Sequence, residues 1–482
     1  MRLQRPLASF AGFRLSGNVM PIRVVLAWLL GGWVGLVGAQ SAPTPWMPSM
    51  GQTGYQVEGT GNPWSPAGAT LHVAATGERV DASGSIGSAS DAAPFRHRIV
   101  RLDADLTTHD AEKGAVIYLG VNGPGGKLDF ISTDQLRVRG NQNRVHREIE
   151  LAVPGIATRL IYGAGLYGKG SLSVAQLRLS TGASVEDVPP QRMLDAAIDI
   201  VRQNALHAGE VDWKAVEPRI RAMAADARVA PQTYPAIRAL LNSLGDHHSS
   251  LFTAASNKLR STQGGAMSPP VVEQRPGAVG YIAMPGYEGG DAQASRAFAQ
   301  NMVQAITRLA PRVHCGWIVD LRNDKGGNMF PMLAGLRPLL GGAPLGSFRN
   351  ARGEVQTWQA GDEGIEAMRP KAPDLAQAKV AVLTGPHTAS SGEAVAVAFR
   401  GRPHTRSFGE ATAGMSTANA MYPLPDGSRI VLTTSVDLDR NGHAYGDKIQ
   451  PDQIIPADTD GESDAILAAA SRWLAESCPP AQ

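Results

Sequence analysis

The rhythm of hydrophobic and polar positions changes twice along the chain. Between residues 67 and 182 the apolar positions fall in short runs, at 70–75, 98–106, 116–121, 145–153 and 172–179. Turn-forming stretches such as Asn122-Gly123-Pro124-Gly125-Gly126 separate them. Regularly spaced short strands of this kind predict a β-sandwich over 67–183. At Val188-Pro189-Pro190 the pattern breaks, and Met193, Ala196, Ala197, Ile200 and Val201 then recur at helical spacing. Further helices are expected over 213–226 and 233–244, so 190–250 reads as a helical segment. From 278 onward, strands at 278–284, 315–321 and 379–383 alternate with helices at 291–309, 329–339 and 391–400, predicting an α/β core over 278–475. The fold class expected is therefore multidomain α+β: a sandwich, a helical segment and an α/β core. Residues 40–66, rich in Pro, Gly, Ser and Thr, read as a linker or irregular lead-in.

Composition narrows the possible partners. The 482 residues carry a formal net charge of only +2, with no Lys/Arg cluster interleaved with aromatics, so nucleic acid is not expected as a partner. At the amino terminus Arg2, Arg5, Arg14 and Arg23 precede an apolar run at 24–37, which ends in Gly38-Ala39. A positive region, an apolar region and a small-residue site describe a secretory signal at 1–39. The run is shorter than the roughly 20 residues a spanning helix needs. No later segment is long enough to span, so no integral membrane segment is expected after signal removal, and the location expected is periplasmic or secreted. Cys315 and Cys478 are the two cysteines. Outside the cytoplasm they can pair, and the sequence leaves a disulfide and two free thiols both open. Nothing in the sequence bears on oligomeric state.

Three short segments hold the candidate chemistry. In 383–393 an apolar strand ends and Ser390 stands where a helix begins, followed by Ser391 and Glu393. The first amides of a helix lack partners within it and can donate to an oxyanion. Helix capping by Thr388 or Ser390, with Glu393 completing a capping box, is the competing reading. In 318–328 a strand ending Asp320-Leu321-Arg322 opens into Gly326-Gly327, which can bring a backbone amide close to a ligand. In 244–249 Asp246-His247-His248-Ser249 offers an imidazole, the base that a weakly nucleophilic hydroxyl requires. Consecutive histidines on an extended segment point to opposite sides, and no acidic metal motif accompanies them. No metal and no cofactor are expected.

Together and in this order, Gly245-Asp246-His247-His248-Ser249, the stretch from Asp320 to Gly327 and the stretch from Thr388 to Glu393 resemble the C-terminal-processing and tricorn-like serine peptidases, family S41. The likeness covers about 190–475, and Asp426-Gly427 and Pro451-Asp452 also fit. It implies a ClpP/crotonase-like core, a peptide or protein substrate, and hydrolysis through an acyl-enzyme. The processing branch places a catalytic lysine 25 residues after the serine; here Met415 stands there and cannot accept a proton. The tricorn-like branch uses a histidine, which aligns with His248. The resemblance thus implies Ser390 as nucleophile, His248 as general base, and the amides of Ser391 and Gly326 or Gly327 as oxyanion donors. The branch's relay glutamate falls near Tyr445, so Asp447, Asp246 and Glu410 are the candidates to orient the imidazole; Asp324 reads as structural. Only 28 residues separate Ser250 from Val279, too few for the PDZ domain of the processing branch. The sandwich resembles jelly rolls appended to exported hydrolases. Two alternatives share these residues: an esterase with the same nucleophile, and a non-catalytic lipid- or peptide-binding protein on the same fold.

Overall fold

A computed structural model describes residues 43–49, 52–77, 83–263, 269–289, 291–342, 344–358, 373–457, 464–476 and 478. The expected export signal at 1–39 lies outside the described residues. None of the described helices is long and apolar enough to cross a membrane.

The amino-terminal part is antiparallel. Its strands are β1 (Met47–Pro48), β2 (Tyr55–Gly61), β3 (Ala69–Ala75), β4 (Ser83–Asp91), β5 (Arg98–Gly123), β6 (Gly126–Ser132), β7 (Val138–Val153), β8 (Arg159–Tyr167) and β9 (Ser171–Ser184). Strand β5 organises them. Its first half pairs with β7 and β9, and its second half with β6 and β8. Along the first half Val100, Leu102, Ala104 and Leu106 are buried while Arg101, Asp103 and Asp105 face outward, the period-2 pattern of a one-sided strand. Two expectations are corrected here. The stretches 98–106 and 116–121 are one strand, whose polar middle passes through register shifts rather than a turn. The 40–66 linker contributes β1 and β2, because Trp46, Tyr55 and Val57 pack against the sheet's core.

Helices α1 (Pro190–Asn204), α2 (Trp213–Met223) and α3 (Tyr234–Asn242) follow. Pro190 starts α1, where its missing N–H costs nothing, and Met193, Leu194, Ala197, Ile198 and Val201 form its buried stripe. Next come β10 (Ser250–Phe252), α4 (Ala254–Gln263), β11 (Val271–Arg275), β12 (Val279–Ala283), α5 (Ala292–Leu309), β13 (Gly316–Asp320), α6 (Met329–Leu340), β14 (Gly346–Asn350) and β15 (Val355–Thr357). The chain continues through β16 (Val380–Thr384), α7 (Ser391–Phe399), β17 (Thr405–Gly409), β18 (Thr417–Pro423), β19 (Arg429–Asp439), β20 (Gln453–Ile454) and α8 (Ala465–Ala475).

These elements build two sheets. One runs β11-β12-β13-β16-β17-β20 and is parallel except at β11. Every residue of β13 and β16 is buried, as expected of parallel strands covered on both faces. Trp317, Val319, Val380 and Val382 meet α5, α6 and α7, whereas Ile318, Ala381, Leu383 and Phe408 meet α8. The other sheet is antiparallel around β19, with β10, β14 and β18 beside it. Its residues Leu251, Ile430 and Leu432 pack on α1 to α3. Val229, Ala255 and Leu259 join the core of the amino-terminal sheet, so the helical segment bridges the two halves. A disulfide joins Cys315 at the start of β13 to Cys478 beyond α8.

Candidate active site

Strand β16 ends at Thr384, and the turn to α7 is held from several sides. The Thr388 hydroxyl donates to Leu321 O (2.8 Å), and the Thr388 carbonyl accepts Ala413 N–H (2.9 Å). Ser390 closes the turn at φ 54°, ψ −119°, left-handed backbone that a non-glycine residue adopts only under strain of about 1–3 kcal/mol. Its N–H donates to Glu393 Oε2 (2.9 Å), so Glu393 does close back on the helix start. The same carboxylate accepts from Thr412 Oγ1, Gly414 N and Met415 N. Glu393 therefore fixes both the Ser390 turn and the segment that carries Met415. Burial pushes its pKa up, against the pull of those donors.

The Ser390 hydroxyl is free of capping duty and lies 3.0 Å from His248 Nε2. His248 Nδ1 lies 2.8 Å from Thr417 Oγ1 at the start of β18. With the proton on Nδ1 and donated to Thr417, Nε2 is the lone-pair acceptor facing Ser390. Burial lowers the His248 pKa, partly offset by the negative charge of Asp246. The imidazole is consequently neutral at neutral pH, the form that can take a proton.

None of the three expected orienting groups holds the ring. Asp246 accepts His248 N–H (3.0 Å), Ser249 N–H (2.6 Å) and the Ser249 hydroxyl (2.8 Å), so it shapes the loop. Asp447 accepts the amide of its neighbour Lys448, and Glu410 meets Thr384 through its backbone. The ring partner, Thr417, was not foreseen, and no sequence signal marks it.

The glycine turn abuts the serine. Gly326 and Gly327 have φ of 98° and 116°, and a Cβ on Gly326 would lie 2.9 Å from Ser390 Cβ. Tyr287 brackets the turn, donating to Gly326 O (3.0 Å) and accepting Asn328 N–H (2.6 Å). The Gly326 N–H is already given to Asp324 Oδ1 (2.9 Å), which removes it as an oxyanion donor. The Ser391 and Gly327 amides carry no such commitment, and the Ser391 hydroxyl ties the two turns by donating to Gly327 O (2.5 Å). Two further buried carboxyls flank the site. Asp324 has Oδ2 unpartnered, and burial raises its pKa to about 7 against the Gly326 amide. Asp437 on β19 has neither oxygen partnered; burial and then Glu393 raise it to about 8. No group of side chains suited to a metal ion occurs among the described residues.

Residues 278–455, the parallel sheet with its Ser390 turn, match the family described as Peptidase family S41. The chain is 24% identical over 290 residues to the nisin-resistance protein of Lactococcus lactis subsp. lactis, covering 59% of this chain and 87% of that one. It is 24% identical over 218 residues to the chloroplastic C-terminal processing peptidase of Tetradesmus obliquus, covering 44% of this chain and 42% of that one. Among solved structures, a lipoprotein from Streptococcus agalactiae superposes with a TM-score of 0.53 at 26% identity, over 61% of this chain and 99% of that one. Residues 278–455 thus form a domain of peptidase family S41, the domain of a serine-type hydrolase.

Proposed function

We propose that the protein is an exported peptidase that cleaves peptide bonds through an acyl-enzyme on Ser390, with His248 as general base. The observation that carries this reading is the 3.0 Å approach of His248 Nε2 to Ser390 Oγ on a strained strand-to-helix turn. His248 removes the hydroxyl proton as Oγ bonds to the substrate carbonyl carbon. Charge gathers on the carbonyl oxygen, where the Ser391 and Gly327 amides receive it. His248 then protonates the leaving amine as the C–N bond breaks, and a water molecule, deprotonated by the same ring, releases the acid. Met415 leaves no lysine to serve as base, which supports the histidine assignment. The sandwich expected at 67–183, jelly-roll-like in kind, is read as a module appended to a ClpP/crotonase-like core. Export rests on the sequence at 1–39, and likeness to a nisin-resistance protein and a lipoprotein supports a site of action outside the cytoplasm.

The test is labelling by a fluorophosphonate with the modified residue mapped by mass spectrometry, together with turnover of one peptide substrate. Label on Ser390, and a loss on the order of 10⁴-fold in kcat for Ser390→Ala, are expected. Ser391→Ala keeps its amide but loses the tie to Gly327, and should cost only about tenfold. A dead Ser391→Ala beside an active Ser390→Ala would reverse the assignment.

A further inference from the structure

Asp324 touches both turns of the site, and the mechanism above gives its carboxyl no task. Oδ1 accepts Gly326 N–H, and its main-chain oxygen accepts Ala389 N–H (2.9 Å), one residue before the nucleophile. Two glycines make room for it. A Cβ on Gly392, in the first turn of α7, would lie 2.9 Å from Asp324 Cγ, and one on Gly286 would lie 3.0 Å from Oδ1. The carboxyl is fully buried, and Oδ2 finds no partner. A purely structural Asx turn needs Oδ1 alone. Burying the second oxygen without a protein partner costs free energy in either protonation state, and far more in the ionised one.

We propose that Asp324 is a positioning residue whose neutral carboxyl sets the Gly326-Gly327 turn for catalysis, and whose ionisation weakens the oxyanion site. The inference rests on the Ser390–His248 reading. A charge on Asp324 and the charge developing on the substrate oxygen would lie close together: Asp324 Oδ1 holds the Gly326 N–H, one peptide unit before the Gly327 amide, and its Cγ packs against Gly392, next to Ser391. They repel through a poorly hydrated interior, where the interaction of two charges a few ångströms apart is far stronger than in water. Ionisation would also strengthen the Gly326 bond and suit the start of α7, but these gains act on ground and transition states alike and do not lower the barrier. The working form is therefore the neutral one. Burial places its titration near neutral pH.

Of the other titratable groups around the site, Asp437 on β19 is buried with neither oxygen partnered and interacts with Glu393 rather than with Asp324; the rest are engaged or exposed. Glu393, on the first turn of α7, is held by Ser390, Thr412, Gly414 and Met415. His248 faces Ser390. Arg322 is paired with Asp320 and Asp464. Lys325 on its own turn and Glu288 beyond Gly286 are exposed.

The experiment is kcat and KM from pH 5 to 9 for the full chain and for Asp324→Asn on one peptide substrate. In the unsubstituted enzyme kcat rises as His248 loses its proton, then falls about tenfold around pH 7 with KM level. In Asp324→Asn the fall is absent, so the ratio of kcat at pH 8.5 to that at pH 6.5 is about tenfold higher. Equal ratios in the two proteins, or a fall that resides in KM, overturn the proposal. Should Asp324→Asn not fold, Asp324→Ser, also neutral and smaller, replaces it. A measurement on the unsubstituted enzyme decides independently: affinity for a peptide aldehyde, which forms an oxyanion adduct, should drop about tenfold over the same interval, and a flat affinity overturns the proposal. Fluorophosphonate mapping separates the two readings, since failure of the Ser390 assignment puts the label elsewhere and failure of the Asp324 proposal does not.

Discussion

Thr417 Oγ1, 2.8 Å from His248 Nδ1, takes the place that a carboxylate was expected to fill. A hydroxyl fixes the tautomer and the ring plane but would offer no full charge to the imidazolium of the proposed mechanism. Thr417→Val is accordingly expected to lower kcat about tenfold at nearly constant KM, and Thr417→Ser to retain most of it. Equal turnover in Thr417→Val would show that the ring needs no partner there. The contrast between Ser390 and Thr417 explains what was legible in the sequence. Ser390 and His248, which lie 3.0 Å apart, stand out in the sequence because a serine at a strand-to-helix corner is conspicuous and a histidine is the natural partner to look for. Thr417 comes to His248 from 169 residues away, through the pairing of β18 and β10 with β19, and threonine is too common in strands to mark itself. The loss of Gly326 as a donor was readable in principle, since an aspartate two residues before a glycine is the pattern of an Asx turn.

Helix α7 and strand β19 trap an ionisable group between them. Asp437 lies in the interior with both oxygens unpartnered and Glu393 nearby, and its folded pKa is raised to about 8. The unfolded chain would release that proton near pH 4, so between those values the folded state binds more protons than the unfolded one. Its contribution to stability is complete below about pH 4 and is lost as pH rises toward 8. Asp437→Asn should be more stable than the unsubstituted protein at pH 8 by on the order of 5 kcal/mol, with the advantage vanishing by pH 4. Denaturant unfolding at the two pH values checks this, and a pH-independent difference would count against it. Elements were foreseen where one period ran unbroken, as in α5 or β13. They were misjudged where local composition and pairing disagreed. The polar stretch inside β5 looked like a gap, but strands β7 and β9 on either side carry the backbone through it. The Gly- and Pro-rich lead-in looked irregular, but a few aromatic anchors sufficed to dock it as β1 and β2.

At the scale of the whole molecule, the cysteines left open by the sequence are joined, and the bond closes a loop of 163 residues. It ties α8 to the base of β13, the strand that leads into Arg322 and the glycine turn. Arg322 in turn pairs with Asp464 at the start of α8. Replacing both cysteines by serine is expected to cost about 2–5 kcal/mol, read as a lower denaturant midpoint with an unchanged slope. An unmoved midpoint would mean that packing alone secures α8. Strand β5 has a different kind of consequence, in time rather than in energy. Arg98 pairs with both Val153 and Ser184, and four strands depend on this one ribbon. Such a sheet cannot assemble hairpin by hairpin. The entropy of closing long loops must be spent before the distant pairings return it, which makes the amino-terminal half a slow folder compared with the helices beside it. Until β9 arrives, β5 presents an open edge to other chains, so the newly made chain is exposed to wrong pairing for as long as this sheet is incomplete.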